Sequence, residues 1–533
     1  MTMQVLQEAH NLRNKKINKI EKMKSEQDPM EFIKTFEDFC KGSYEETVND
    51  SHTKHFLKCL GLYDKGTSET FVIRIRIPGG QLSVEQALKL AQCSKKYGND
   101  YIDITTRGQV EFRYLKFNEL PLLLKDLSTV GISAIQCAGD NFRGVVTSPF
   151  DSYSKTSPIE TMPLLKEIQS VFLEQEAWMG TLPRKFNIAI LGDSINTCNI
   201  FGNDCAFALA SKNGEIGFNL YLGGKVGVQA RDLNLFVKDH QVKEVFAAVI
   251  SLYKEYGFRD NRNKNRLTFL LDAVSLEEFA KAIKEHSKLE LPQAGELLVK
   301  DEFTLDDSST IELKDGKSAI HFGIPSGIFC GSDLEQAALL AQKHDGVVRL
   351  TYEQSFYIIT NTSSIEDIKQ SSLYKKYDSY HNIYFNNQIA CAGNKECSFG
   401  VIPGKPDAIN MAEYLNKNVP IEDGKVRMYW SACPKGCGIH GVADIGFEGA
   451  KAKDEEGNSC YGVKIFLGGK AASSILEARQ LTKAVSIPKA QELTAKLLNI
   501  YKEEKNENET FESFDTRVLS SLAIEEIQTR IGL

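Results

Sequence analysis

The stretch IRIRIPGG at residues 73–80 is followed by EQALKLAQ at 85–92 and DITTRGQVEF at 103–112. The same order returns as IPSG at 324–327, EQAALLAQ at 335–342 and VVRLTYEQSFYII at 347–359. A second echo pairs FNLYLGGK (218–225) with VKIFLGGK (463–470), and Thr106 to Thr351 and Leu222 to Leu467 are both separations of 245 residues. Two separate echoes at one offset predict a duplicated unit of about half the chain. Each copy reads as strand, helix, strand and helix before a larger mixed region, which places the fold in the α+β class. The polar stretch over 291–318 reads as the join. A helical extension over 1–66 precedes the first copy.

The chain has 533 residues, 42% of them hydrophobic and 25% charged, so it is long enough for several domains with ordinary soluble composition. No apolar run approaches the roughly 18 residues of a membrane span. The N-terminus carries both signs of charge and no apolar segment, as neither a secretory signal nor an acid-poor transit peptide would. A cytoplasmic location is expected, where thiols stay reduced. A net charge of −7 gives no reason to invoke nucleic acid.

The copies differ in the residues that carry chemistry. The first has Arg74, Arg76, Arg107, Arg143, Arg184 and Lys185 in or beside strand-like segments, whereas the second has Tyr352 where Arg107 would fall. In IRIRIPGG, alternation puts Arg74 and Arg76 on one face and the isoleucines on the other. In LPRKFNIAI it aims Lys185 and Asn187 together. Only the second copy has clustered cysteines, Cys391 and Cys397 in CAGNKEC and Cys433 and Cys437 in CPKGC. Four thiolates suit zinc or an iron-sulfur cluster. Structural zinc usually uses tighter C-x2-C knuckles, while a cuboidal cluster accepts wider loops. Buried unliganded thiols are the remaining reading. There is no C-x-x-C-H, so covalently attached c-type haem is excluded.

The combination of C-x-G-x-x-x-C, C-P-x-x-C-G and VADIGF with TTR and LPRKFN resembles the sirohaem-dependent nitrite and sulfite reductase family, from about residue 55 to near the end, and is closest to its ferredoxin-dependent nitrite-reducing members. The resemblance implies a pseudo-twofold fold of ferredoxin-like half-domains at 67–135 and 296–380. It adds a sirohaem-binding α/β domain at 136–295 and a 4Fe-4S and sirohaem-binding domain at 381–533. It implies that Cys391, Cys397, Cys433 and Cys437 hold a 4Fe-4S cluster, with Cys437 also the axial ligand of the sirohaem iron. Arg74, Arg143, Lys185 and Asn187 would then line the substrate pocket. Arg107, Arg184, Arg266 and Lys435 would pair with the macrocycle's carboxylates. Such buried negative charge demands cations, guanidinium above all. Two places depart from the family pattern. Glu111 stands where glutamine is frequent, bringing a carboxylate toward an anionic macrocycle, and Lys435-Gly436 replaces the commoner Asn-Ser or Asn-Gly. His440 is expected to be structural.

The reaction implied is the six-electron reduction of nitrite to ammonia in nitrate assimilation, with reduction of sulfite to sulfide as the alternative. Lys185-x-Asn187, rather than Lys-x-Lys, favours the monoanion nitrite over sulfite. No G-x-G-x-x-G opens a helix after a strand, so electrons are expected from an external one-electron donor, reduced ferredoxin, rather than from a nicotinamide. A monomer is expected. A non-catalytic Fe-S electron-transfer protein would account for the cysteines but not for the cationic half.

Overall fold

The structure, a computed structural model, describes residues 2–48, 51–225, 227–300, 309–471 and 476–533. The expected duplication is present as two small antiparallel sheets and two larger mixed sheets. The first small sheet runs in the order Leu62–Tyr63, Phe71–Ile75, Val110–Leu115, Tyr101–Ile104 and Ile328–Cys330. Its counterpart runs Thr310–Glu312, Lys317–Phe322, Phe356–Asn361, Val347–Leu350 and Gln81–Leu82. The last strand of each sheet comes from the other copy. Ile328–Cys330 pairs with Tyr101–Asp103, and Gln81–Leu82 pairs with Val348–Arg349.

The echoed IPGG and IPSG corners make this exchange possible. Gly79 and Gly80 take φ of 58° and 70°, and Ser326 and Gly327 take 48° and 71°, so each chain turns sharply toward the other sheet. A Cβ on Gly80 would lie 2.3 Å from the Leu350 carbonyl oxygen, and one on Gly327 2.7 Å from that of Ile104. Only glycine permits the approach. Each corner leads into a helix, Val84–Tyr97 or Gly331–Lys343, and the two helices pack on each other with Ala87, Ala91, Ala337 and Ala341 buried. Ser83 and Gln86 close a reciprocal capping box at the start of the first. Ile73, Ile75 and Ile77 from one copy and Phe322, Phe356 and Ile358 from the other share one continuous core.

Two sequence expectations are refined. DITTRGQVEF is not one strand but a hairpin, because Thr105 and Gln109 close a tight turn (N to O, 2.9 Å) around Gly108 with φ of 59°. Arg107 therefore sits on a turn. Leu62–Tyr63, assigned by sequence to the helical extension, is the edge strand of the first small sheet. The rest of the extension is a series of helices joined by short turns over its described residues, and it divides its packing. Thr2–Arg13 buries Leu6 in the core of the first large domain, while Pro29–Phe39 buries Phe32 and Phe36 in the shared small-sheet core. Glu296–Leu297 pairs with Ala210–Ser211, adding a strand to the first large sheet, and part of the expected join, residues 301–308, lies outside the described residues. Among the described residues no helix is long and apolar enough to cross a membrane.

His321, on the inner strand Lys317–Phe322 of the second small sheet, is 6% exposed and packs on Tyr357. Burial pulls its imidazole down to about 3. Its protonation is thus favoured in the unfolded chain and resisted in the folded one, so stability falls as pH drops below the unfolded value and on toward that depressed one. Chemical denaturation followed between about pH 6.5 and 4 should show this residue costing roughly 1 kcal/mol per pH unit. His321→Phe should flatten that slope.

Candidate functional site

The site is built where the two copies abut. In the second large domain, Gln388–Ala390 and Met428–Ser431 are adjacent parallel strands, so their C-terminal ends lie side by side. Cys391 leaves one end and Cys433 follows the other. The loops are stitched together by Cys391 N to Trp430 O at 3.1 Å and Val401 N to Ala432 O at 2.8 Å, and the Ala432 amide donates to Cys391 Sγ at 3.1 Å. All four predicted cysteines belong to these two loops, with Cys437 and Cys433 close enough to raise the thiol of Cys391, and Cys437 and Cys397 close enough to raise that of Cys433. Burial pushes the Cys391 thiol up to about 11, so taking up a metal there must expel a proton. Among the described residues no three His, Cys, Asp or Glu side chains converge on the position of one ion.

Cys437 is exposed at the lip of a cavity of about 530 Å³ lined by both copies. The CPKGC loop forms one wall. Opposite it stand Arg74, Arg107, Arg143, Lys185 and Asn187 from the first copy. The alternation read from LPRKFN holds, with Phe186 fully buried between the two polar residues. The hairpin turn bearing Arg107 abuts the equivalent turn of the second copy, where Tyr352 lines the same cavity. Thus the position that is arginine in one copy and tyrosine in the other contributes both residues to one site.

The lining is strongly cationic. Arg74, Arg107, Arg143, Lys185, Lys225 and Lys435 face it, against the carboxylates of Glu448 and Glu477. Arg107 donates to Asn203 Oδ1 at 2.7 Å and to the carbonyls of Ile188 and Gly144 at 2.9 and 3.0 Å, leaving its buried Nε without a partner. Arg143 is held by the carbonyls of Asn141 and Gly139 at 3.3 and 3.1 Å. Burial first, and then the neighbouring Arg74, pull its guanidinium down to about 10. Lys185 has no hydrogen-bond partner among the described residues. Burial, with Arg266 adding repulsion, brings its ammonium down to about 7. Charge held at such cost is discharged by an anion.

Several expected residues are placed differently. Arg266 does not line the cavity; it grips Asp204 at 2.8 and 2.6 Å, and Asp204 in turn accepts from the Asn187 amide at 2.7 Å. It positions the wall instead of forming it. Arg184 also lies outside the lining, 3.7 Å from Asp140, a carboxylate held by Arg262 at 2.7 Å and by Lys24 of the N-terminal extension at 3.0 Å. Arg76 is buried beneath the wall and donates to the carbonyls of Phe142 and Ile135 at 3.0 and 3.2 Å. Lys435 reaches the rim, with its ammonium 3.4 Å above the Phe399 ring. His440 lines the cavity with Nε2 3.4 Å from Glu448, and one ring nitrogen is buried without a partner. Lys225 was missed by sequence reading although it ends the LGGK echo. Its counterpart Lys470 pairs with Glu512 at 2.7 Å, so the repeat hid a divergence in role.

Comparison with known proteins agrees with this architecture. The family model described as the nitrite and sulphite reductase 4Fe-4S domain matches residues 138–291 and 385–517, and that of the nitrite/sulfite reductase ferredoxin-like half domain matches 63–130. A chloroplastic ferredoxin–nitrite reductase of Spinacia oleracea is 31% identical over 480 residues, covering 86% of this chain and 81% of that protein. The ferredoxin–nitrite reductase of Synechococcus elongatus is 32% identical over 468 residues, covering 85% and 91%. The solved structure of the Mycobacterium tuberculosis NirA protein superposes with a TM-score of 0.86 at 22% identity, over 96% of this chain and 98% of that one, which establishes a common fold.

Proposed function

The chain belongs to the nitrite and sulphite reductase family of oxidoreductases, and from that premise we propose that it reduces nitrite to ammonia with electrons from reduced ferredoxin. The observation that carries the reading is one cavity bounded by the CPKGC loop on one side and by arginine, lysine and asparagine on the other. The family's cofactors are sirohaem and a 4Fe-4S cluster, and the residues present suit them. Four thiols on two adjoining loops offer cluster ligands, and a cavity with six cations and an orphaned arginine Nε suits a polycarboxylate macrocycle. In this proposal Cys391, Cys397, Cys433 and Cys437 would hold the cluster, Cys437 would also serve the macrocycle iron, and Arg107 and Lys435 would pair with its carboxylates. When bound, the two groups supply an iron to hold the substrate and a path for single electrons.

The protein's own residues then divide the remaining work. The guanidinium of Arg143 and the ammonium of Lys185 attract the anion and hold its partly reduced forms until protons arrive. Lys185 Nζ, already biased toward neutrality by burial, is the group best able to hand over a proton and recover one from water. Asn187 offers a neutral amide donor, so it orients without adding charge.

Steady-state reduction of nitrite and of sulfite by the purified holoenzyme with a chemical reductant tests this reading. Nitrite should be used with the higher kcat/KM. Asn187→Lys should raise the ratio of sulfite to nitrite turnover by roughly tenfold, since an added ammonium rewards a dianion more than a monoanion. An unchanged ratio, or a wild type that prefers sulfite, would assign the cavity to the other anion.

A further inference from the structure

One wall cation differs from the rest in what it is bonded to. Arg74 and Glu111 lie directly opposite each other on adjacent strands, and Glu111 Oε1 accepts from Arg74 Nε at 2.8 Å and Nη2 at 2.6 Å. The second oxygen of Glu111 accepts from Arg113 at 3.0 Å. Arg113, 1% exposed, also pairs with Asp103 and, at 3.2 Å, with Glu396, the residue before Cys397. Asp103 is shared with Lys405, which opens the helix Lys405–Asn418 after the cysteine loop. Three cations and three carboxylates thus form one closed network that begins at the cavity wall and ends at the loop of Cys397. Its net charge is zero.

The other wall cations make no such pair among the described residues. Arg107 and Arg143 are held by neutral carbonyls and an amide, and Lys185 has no hydrogen-bond partner. Arg74 is therefore fixed in direction by two N–H donors converging on one carboxylate oxygen, while its charge is cancelled at the point where it meets the cavity. A guanidinium so held still offers N–H donors but adds little to the attraction for a second negative charge.

We propose that Glu111 is a specificity-determining and positioning residue, which holds Arg74 as a directional donor and sets the field of the cavity for monoanionic oxyanions over dianionic ones. The inference rests on the reading that this cavity binds nitrite, and extends it from one anion to the charge class the site selects.

The test measures binding directly, through the shift each anion causes in the visible spectrum of the resting holoenzyme, at about pH 8 where sulfite is a dianion and nitrite a monoanion. Glu111→Gln keeps the shape and removes the charge, and should tighten sulfite relative to nitrite by about tenfold. Glu111→Asp keeps the charge and should stay close to the wild-type ratio. A fully loaded Glu111→Gln variant with the wild-type ratio of dissociation constants overturns the proposal. If that variant does not take up its cofactors, Arg74→Gln supplies the complementary measurement, since it leaves Glu111 as an unbalanced negative charge. It should weaken sulfite more than nitrite by a similar factor, and equal weakening overturns the proposal. A wild type that binds neither anion would instead overturn the functional reading on which the proposal stands.

Discussion

Serine at position 437 is expected to abolish nitrite reduction, with a loss of at least about a hundredfold in turnover, because one thiolate is proposed to serve both metal centres. Cys437 lies at the cavity lip, exposed, whereas Cys391 and Cys433 sit deeper in the loops behind it. The variants should therefore separate. Serine at Cys391, Cys397 or Cys433 should remove iron and acid-labile sulfide, leaving protein that has lost the broad cluster absorption. Serine at Cys437 should in addition disturb the macrocycle bands. If Cys437→Ser changed the cluster alone, the shared thiolate would be ruled out. If all four variants kept iron, sulfide and activity, the cysteine assignment itself would fall.

Alanine at Lys185 or Arg143 should lower kcat/KM for nitrite by roughly 10²–10³, the range seen when a preorganised charge or donor is removed from a reacting centre. Cofactor content and melting behaviour should stay near wild type, because among the described residues neither side chain is part of the hydrophobic core or in an ion pair. Loss of the macrocycle in both variants would make them cofactor ligands instead. Lys185 adds a dependence on pH. Burial holds its ammonium down to about 7, and it is a cation below that value and neutral above it. Anion binding should therefore weaken as pH rises, with the limb displaced upward by whatever negative charge occupies the cavity. Lys185→Arg carries a charge that does not titrate in this range and should remove the limb. A limb of the same midpoint in that variant would point to another group.

The duplication was legible because the glycine corners and the strands around them recur with little change, and the chemistry was legible because it lies where the copies differ. Arg74, Arg143, Lys185, Asn187 and Cys437 were each identified by residue type within a motif, and the fold brings all five to one cavity. The places of Arg184 and Arg266 were not readable. Their carboxylate partners, Asp140 and Asp204, lie 44 and 62 residues away, and nothing local signals the pairing. The same holds for Lys24, whose grip on Asp140 ties the N-terminal extension to the loop carrying Arg143. Nor could periodicity reveal Gln81–Leu82 or Ile328–Cys330 as strands. Two or three residues carry no detectable alternation, and each pairs with the opposite half of the chain.

That exchange bears on ancestry. A unit that donates an edge strand cannot complete its own sheet, so a single copy would have needed a twin, each lending what the other lacked. Joining two such twins in one polypeptide makes a once dissociable partnership permanent and fixes it at one to one. From then on the copies were no longer obliged to be identical. One could abandon its thiols and gather arginines while its sibling did the reverse, and a pocket that a symmetric pair would have had to furnish twice could be furnished once, with unlike walls.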